Sequence, residues 1–350
     1  MHLRPYINKA LSYLRSPNEL LSMATSVEEV DKEHTEYFPP AVFLRSELDK
    51  ITSTADNTTI EEELARVNGR TVTHQALKRY EFRNALVYPN GISIKGGNFL
   101  RGGPVPHRTL LSEKAIHVDR ALYCLDYCST RYFGHWLMEA CCTAQLKRDD
   151  EQLLLPARTD WPHTKSYIDI FGFTPSPEHI LKVDQLFWFR DHMQGPSRQR
   201  RYAQLRSKLR QKIESSAKGK RYYLRRGTFG TNEHRTFENE DEIIKLLSAK
   251  GYELLDLDKL SLHELLEKGM DAEVIVTVEG SHQSHAALML RQGGLLMVIQ
   301  PPDRFNNIYR GRTHAIGLEY GFTVLEKQKE NGASRLDPNA LFRTLDLYIP

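Results

Sequence analysis

Within the run Tyr132 to Glu139, a histidine and a carboxylate stand one helical turn apart among residues that favour burial. At that spacing His135 and Glu139 share one face of a helix, where a proton acceptor can be oriented by a partner. A satisfied structural hydrogen bond is the plainer reading of such a pair. A second group of residues has a different chemistry. Arg225 and Arg226 run into a turn containing Gly227 and Gly230, with Arg235 beyond it. Guanidinium groups beside flexible backbone suit a diphosphate, because their fork matches phosphate oxygens. A third group, Glu279-Gly280-Ser281-His282, lies where a β-branched run meets a helical one. There the free N–H groups of a helix start attract an anion, and an acid at a strand end accepts bonds from ribose hydroxyls. Taken singly, the arginines read equally well as partners of surface acids, and Gly280-Ser281 as an ordinary helix entry.

Parallel strands followed by helices would position these groups. Around Pro89-Asn90-Gly91 the chain reads as a hairpin, Ala121 to Tyr127 as a strand, and the His135 segment as a helix with an apolar stripe of Phe133, Leu137, Cys141 and Ala144. Strands are expected at Leu153 to Leu155 and Leu186 to Phe189, with a helix from Trp161 ended near Gly172. Arg200 to Ser216 reads as a basic helix. From Arg221 onward strands at 221–225, 252–255, 274–278, 295–299 and 322–325 alternate with helices, two of them opened by capping boxes (Asn239 with Glu242, Ser261 with Glu264). This is an α/β pattern with a parallel sheet covered on both faces, and ligands bind such sheets at the carboxyl ends of the strands. The texture shift at Gly195-Pro196-Ser197 sets two domains, 1–196 and 197–350, with residues 1–75 a polar extension of helical character.

Composition narrows the class. With 350 residues, 48 basic against 45 acidic side chains and a net charge of +3, the chain is an ordinary soluble composition. No apolar run approaches the roughly 18 residues of a membrane span, and Met1 to Arg15 lacks the apolar core of a secretory leader. A cytoplasmic protein is expected, with peripheral contact at the inner membrane face as a further expectation. Four cysteines (Cys124, Cys128, Cys141, Cys142) lack zinc-knuckle spacing and read as buried thiols. From Arg198 to Arg226 the only acid is Glu214. Such a stretch grips nucleic acid or an anionic membrane, or leads into a phosphate site. No nucleic-acid-binding motif accompanies it, and no nucleic-acid partner is expected. His282 and His285 share a helix face but lack a third metal ligand, and Asp256-Leu257-Asp258 has the wrong context for a metal-binding acid pair. No metal is expected. Gly-x-Gly-x-x-Gly, Walker and Gly-x-Ser-x-Gly patterns are all absent.

The order of these pieces resembles glycosyltransferase family 61, particularly its bacterial branch linked to surface polysaccharide. The resemblance rests on Tyr132 to Glu139, Tyr223 to Arg226 with Asn232-Glu233 and Arg235, Leu260-Ser261, Val278 to His285, and Gln300 to Phe305, over roughly Ala85 to Leu325. It implies a GT-B architecture, two Rossmann-like domains facing across a cleft. It also implies an enzyme without cofactor that transfers sugar with inversion from a nucleotide sugar (UDP-linked is the first expectation) to a glycan or lipid-linked glycan. An essential metal is not usual. Many members carry His-Gly-Ala-Gly where this chain has Glu279-Gly280-Ser281-His282. On this reading His135 or Glu139 is the base, and Arg225, Arg226 and Arg235 hold the leaving diphosphate. Glu279 then holds the ribose or donor sugar, with Gly280, Ser281 and His282 at the phosphates or the sugar. The alternative is a non-catalytic nucleotide-sugar or polysaccharide binder on the same fold.

Overall fold

The computed structural model describes residues 2–12, 21–89, 91–100, 107–156, 160–176, 179–216, 219–227, 235–327 and 333–348. Asn90, Gly230, Asn232 and Glu233, which figure in the sequence reading, lie outside the described residues. The chain forms two compact units: Met1–His34 with His74–Met193, and Thr35–Thr73 with Gln194–Pro350. In chain order the principal strands are β1 (Ser26–Asp31), β2 (His34–Pro40), β3 (Asn68–His74), β4 (Leu77–Tyr88), β5 (Gly91–Ile94), β6 (Gly97–Leu100), β7 (Ile116–Tyr123) and β8 (Gln152–Leu154). They continue as β9 (Leu181–Phe189), β10 (Arg221–Arg225), β11 (Tyr252–Asp256), β12 (Ala272–Val278), β13 (Leu290–Gln300) and β14 (Glu319–Val324).

The first unit is built on a seven-stranded sheet in the order β6-β5-β4-β9-β7-β8, with β1 also paired to β4. It is mixed rather than wholly Rossmann-like. β4, β5 and β6 form an antiparallel meander, β4 meets β9 antiparallel, and only β9, β7 and β8 run parallel. The parallel part still matters for the site. β7 feeds the helical stretch from Phe133 to Leu146, which returns the chain to β8 beside it. That helix therefore starts beyond the carboxyl end of a parallel strand.

The second unit is the regular one. Its five strands are all parallel in the order β11-β10-β12-β13-β14. β12 is buried along nearly its whole length, as befits a strand covered on both faces. Tyr223, Val274, Val276, Leu295, Met297 and Ile299 pack with Ile243, Leu247 and Leu341 of the helices Glu240–Ala249 and Pro338–Leu345.

Three local readings are corrected. Residues 1–75 are not a helical extension: they carry β1, β2 and β3 beside the helices Arg4–Ser12 and Ile60–Val67. Their polar character reflects strands exposed along most of their length, β1 with no buried residue and β2 and β3 with one each. Asn239 makes no helix cap, because its amide is taken by Leu336, donating to the carbonyl and accepting from the N–H at 2.9 Å each. The helix after Gly280 stops at Met289, and the strand begins at Leu290, so β13 takes in Gly293-Gly294. The Ser261–Glu264 capping box is formed as read.

Candidate functional site

In a parallel sheet ordered β11-β10-β12-β13-β14, successive connections leave the first strand (β10) in opposite directions. The crevice beyond the carboxyl ends of β10 and β12 is the topological switch point where such sheets hold ligands. Arg226 follows β10 directly, and Glu279 to His282 follow β12 directly. The sequence therefore delivers both groups to one crevice.

Charge gathers there. Glu279 is buried, and its Oε2 lies 2.7 Å from Arg235 Nε and 3.0 Å from Arg304 Nη1. Arg226 feels Arg235, Glu279 and Arg304, and burial with its cationic neighbours lowers its proton affinity. Three guanidinium groups against one carboxylate leave two positive charges in a partly desolvated place, which is what a diphosphate needs. Arg304 was not assigned from sequence. Its signal was its place in Pro301-Pro302-Asp303-Arg304-Phe305, just past a buried strand. The segment 35–73 fixes the backbone around it. Thr52 N–H donates to the Pro302 carbonyl at 2.7 Å, Phe305 N–H to the Ser53 carbonyl at 3.1 Å, and Asn307 N–H to the buried Glu63 carboxylate at 2.6 Å.

Arg225 goes elsewhere. Its guanidinium pairs with Asp241 and lies 3.9 Å from Glu240, both on the helix Glu240–Ala249. Consecutive residues of a strand point to opposite faces, so only one of the two arginines can enter the crevice from there. The structure brings Arg226, Arg235, Glu279, Gly280 and His282 together, adds Arg304, and sends Arg225 to surface acids. Ser281 is held through its carbonyl, which accepts from the Ser284 hydroxyl at 2.5 Å and the Tyr309 hydroxyl at 3.2 Å.

Gly280 and His282 are locked to each other. Gly280 has φ 153°, a conformation side chains disfavour, and a β-carbon there would stand 2.9 Å from His282 Nδ1 and 3.6 Å from Arg226 Nε. His282 is 6% exposed, with Nε2 2.7 Å from Thr277 Oγ1. Burial, then the charges of Arg226 and Arg235, hold its proton affinity well below the usual imidazole range. It is a neutral ring.

In the first unit, the helical stretch after β7 is interrupted by a π turn. An α turn Phe133–His135 passes into a π turn Trp136–Ala140, closed by Cys141 N–H on the Trp136 carbonyl, then into Cys141–Thr143 and a 3-10 turn Ala144–Leu146. Such turns are rare and cluster at functional sites. From Gly134 to Ala144 every residue is buried except His135 and Glu139. His135 Nδ1 lies 2.8 Å from Glu139 Oε2, with the side chains 18% and 14% exposed. The expected pair is thus formed, and it reaches the surface of an otherwise apolar helix. The Tyr132 ring, half exposed, lies 5.9 Å from the His135 ring, centroid to centroid.

The basic stretch is largely consumed internally. Arg198, Arg201 and Arg206 of the helix Pro196–Lys212 are buried. Arg206 donates to the carbonyls of Leu290 and Ile316, and Arg210 pairs with Asp271. Long side chains bury their stems and spend their charge on orphan carbonyls, so the run does not present its full charge on one face. Asp256 accepts from the Asp258 N–H at 3.1 Å in a local turn, and Asp258 stands where a β-carbon on Gly227 would be. The one His/Cys/Asp/Glu group of metal-binding proximity among the described residues is His117, Asp119 and Asp184 on the first unit, the first two exposed and Asp184 partly buried. There both imidazole nitrogens already face carboxylates, at 3.5 and 3.0 Å. The four cysteines are free thiols, three of them buried. Among the described residues no helix is long and apolar enough to cross a membrane.

No curated protein matches the chain. Residues 133–296 match the family described as Glycosyltransferase 61, a span that takes in His135, Glu139, Arg226, Arg235 and the Glu279-to-His282 turn and supports glycosyl transfer as the chemistry.

Proposed function

We propose that the chain is an inverting glycosyltransferase that moves a sugar from a nucleotide-sugar donor to a glycan or lipid-linked glycan in surface polysaccharide synthesis. The observation that carries this reading is the excess of two positive charges (Arg226, Arg235 and Arg304 against Glu279) at the switch point of a parallel sheet, inside or beside the span that matches the family. The division of labour is GT-B-like, with donor binding on the second unit and acceptor chemistry on the first.

In the reaction an acceptor hydroxyl oxygen forms a bond to the anomeric carbon while the bond from that carbon to the diphosphate oxygen breaks. The electron pair leaves with the diphosphate, and Arg226, Arg235 and Arg304 meet its growing charge. The hydroxyl proton passes to the His135–Glu139 pair. With Nδ1 turned to Glu139, His135 takes the proton on Nε2, and the carboxylate stabilises the imidazolium. Arginine charge serves in place of a metal ion. Glu279 sets the two arginines that contact it.

A thermal-shift panel of uridine, guanosine, thymidine and adenosine diphosphates and cytidine monophosphate, with and without EDTA, tests the donor site. One nucleotide is expected to raise the melting temperature regardless of EDTA. The absence of a shift with every nucleotide would count against the reading and favour a polysaccharide binder on the same fold.

A further inference from the structure

Arg304 stands on the loop 301–308, between the end of β13 at Gln300 and the helix Tyr309–Ile316. An arginine on a loose loop has to be ordered by its ligand, and that ordering weakens binding. This loop is ordered beforehand, by residues 250 positions earlier in the chain. The Pro302 carbonyl accepts from the Thr52 N–H at 2.7 Å, the Thr52 hydroxyl at 3.0 Å and the Ser53 N–H at 3.2 Å. Ser53 then takes both neighbours of Arg304. Its hydroxyl donates to the Asp303 carbonyl at 2.5 Å, and its carbonyl accepts from the Phe305 N–H at 3.1 Å.

Past Arg304 the loop closes on a carboxylate. Glu63 is 0% exposed, and burying a carboxylate is costly unless N–H and O–H groups meet its oxygens. Oε1 takes the Thr58 hydroxyl at 2.9 Å and the Arg66 guanidinium. Oε2 goes to the loop: it accepts from the Asn307 N–H at 2.6 Å and the Asn307 amide at 3.1 Å. Asn307 Oδ1 in turn accepts from the Tyr320 hydroxyl at 2.9 Å and the Gln300 amide at 3.3 Å. The loop is therefore pinned on both sides of Arg304, whose guanidinium it delivers 3.0 Å from Glu279. Glu47, a second buried acid of the same segment, goes to Thr323 and Val324 of β14 instead.

Resting on the donor-site reading above, we propose that Ser53 and Glu63 are positioning residues for the nucleotide sugar: they hold the loop 301–308 so that Arg304 meets the diphosphate already in place. Both act through Arg304 and neither touches the ligand. The segment 35–73 interrupts the first unit in sequence and belongs to the second in space. On this proposal its task there is to build the donor site.

A double-mutant cycle separates positioning from mere stability. Titration calorimetry on the full chain, with the diphosphates of uridine, guanosine, thymidine and adenosine and with cytidine monophosphate, reads the affinity. Arg304→Ala is expected to weaken the nucleotide that binds roughly tenfold, the loss of one charge-assisted hydrogen bond. Glu63→Ala is expected to reproduce most of that loss. Combined with Arg304→Ala it should cost nothing further, because an anchor without its arginine has nothing left to place. Glu63→Gln keeps an acceptor for Asn307 while Arg66, on the partly exposed side, turns to solvent, and it should restore most of the affinity. Ser53→Ala, at an exposed position that folding tolerates, is expected to show a smaller loss that also vanishes beside Arg304→Ala, and it carries the cycle if Glu63→Ala does not fold. Glu47→Gln controls for instability, with a lowered melting temperature and wild-type affinity. Wild-type affinity in Ser53→Ala and Glu63→Ala, or losses that multiply with that of Arg304→Ala, would overturn the proposal and leave the donor site standing. Unchanged binding by Arg304→Ala would overturn it too, leaving Arg226 and Arg235 to the phosphates. No binding of any nucleotide by the wild type would overturn the donor site, and the proposal with it.

Discussion

Arg225 and Arg226 are neighbours with the same side chain, and the structure predicts opposite outcomes when each is replaced by alanine. Arg226 shares the crevice with Arg235, Glu279 and Arg304, whereas Arg225 is paired with Asp241. On the proposed donor site, removing Arg226 takes the local surplus from two charges to one and would delete a charge-assisted bond to phosphate, worth about 1.5–3 kcal/mol. The middle of that range is roughly a 50-fold loss of affinity. At a nucleotide concentration 100 times the wild-type Kd, ligand stabilisation would fall from about 2.7 to about 0.6 kcal/mol. For a unit of about 200 residues the entropy of unfolding converts this to a shift of roughly 6–7 °C in the wild type and 1–2 °C in Arg226→Ala. Arg225→Ala loses an exposed ion pair worth at most about 1 kcal/mol and should keep the full ligand shift. The assay is the melting curve of each variant with and without the stabilising nucleotide. A full shift in Arg226→Ala, or a lost shift in Arg225→Ala, would refute the assignment of the crevice.

Replacing His135 by alanine or Glu139 by glutamine should lower the turnover number by about 10²–10⁴ and leave the nucleotide melting shift unchanged; loss of that shift would show a structural role instead. His282 binds its proton more weakly in the folded chain than in the unfolded one, so the unfolded chain takes up the extra proton as pH drops below about 6.5. Stability is therefore retained above that pH and lost below it, by about 1 kcal/mol between pH 7 and 5.5 for this one group. Urea titrations at the two pH values should show His282→Asn with a shallower dependence than the wild type; identical dependences would exclude a neutral buried ring. Gly280→Ala places a β-carbon 2.9 Å from His282 Nδ1 at φ 153°. It should cost about 1–3 kcal/mol and abolish the nucleotide shift, and a variant that binds normally would contradict the close packing of Gly280 on His282.

Much of the second unit was legible because its signals are local. The burial of Val274 to Val278 and the Ser261–Glu264 capping box are statements about neighbouring residues, and the carboxyl ends of the five strands fell within one residue of those expected, although β13 and β14 begin earlier. The pairing of His135 with Glu139 was legible for the same reason, since four residues is one turn. What escaped depends on partners distant in sequence. Arg225 and Arg226 look alike until Asp241 and Glu279 are placed beside them. Nothing near Asn239 says that Leu336 will claim its amide. Glu47 and Glu63 lie in the polar segment 1–75, and nothing beside them in sequence marks them for burial. Both are buried inside the second unit, Glu47 on Thr323 and Val324 and Glu63 on Asn307. Val42 bridges Gly321 on the edge strand β14 in the same way. The basic run from Arg198 illustrates the limit of charge counting, since composition does not reveal that Arg206 is spent on backbone carbonyls. The π turn also has no sequence signature of its own, and it shows only in the shift from a 3.6-residue to a wider turn.

Glycosyl transfer without a metal is most directly tested by incubating the full chain with a panel of nucleotide sugars in EDTA, following nucleoside diphosphate release and the anomeric configuration of the freed sugar by NMR. Even without its natural acceptor, a donor site of this kind passes sugar slowly to water. One α-linked donor is expected to be consumed, at a rate EDTA does not slow, with the β-sugar appearing first. Consumption that yields the α-sugar first, stops on chelation, or never begins with any donor would contradict that expectation.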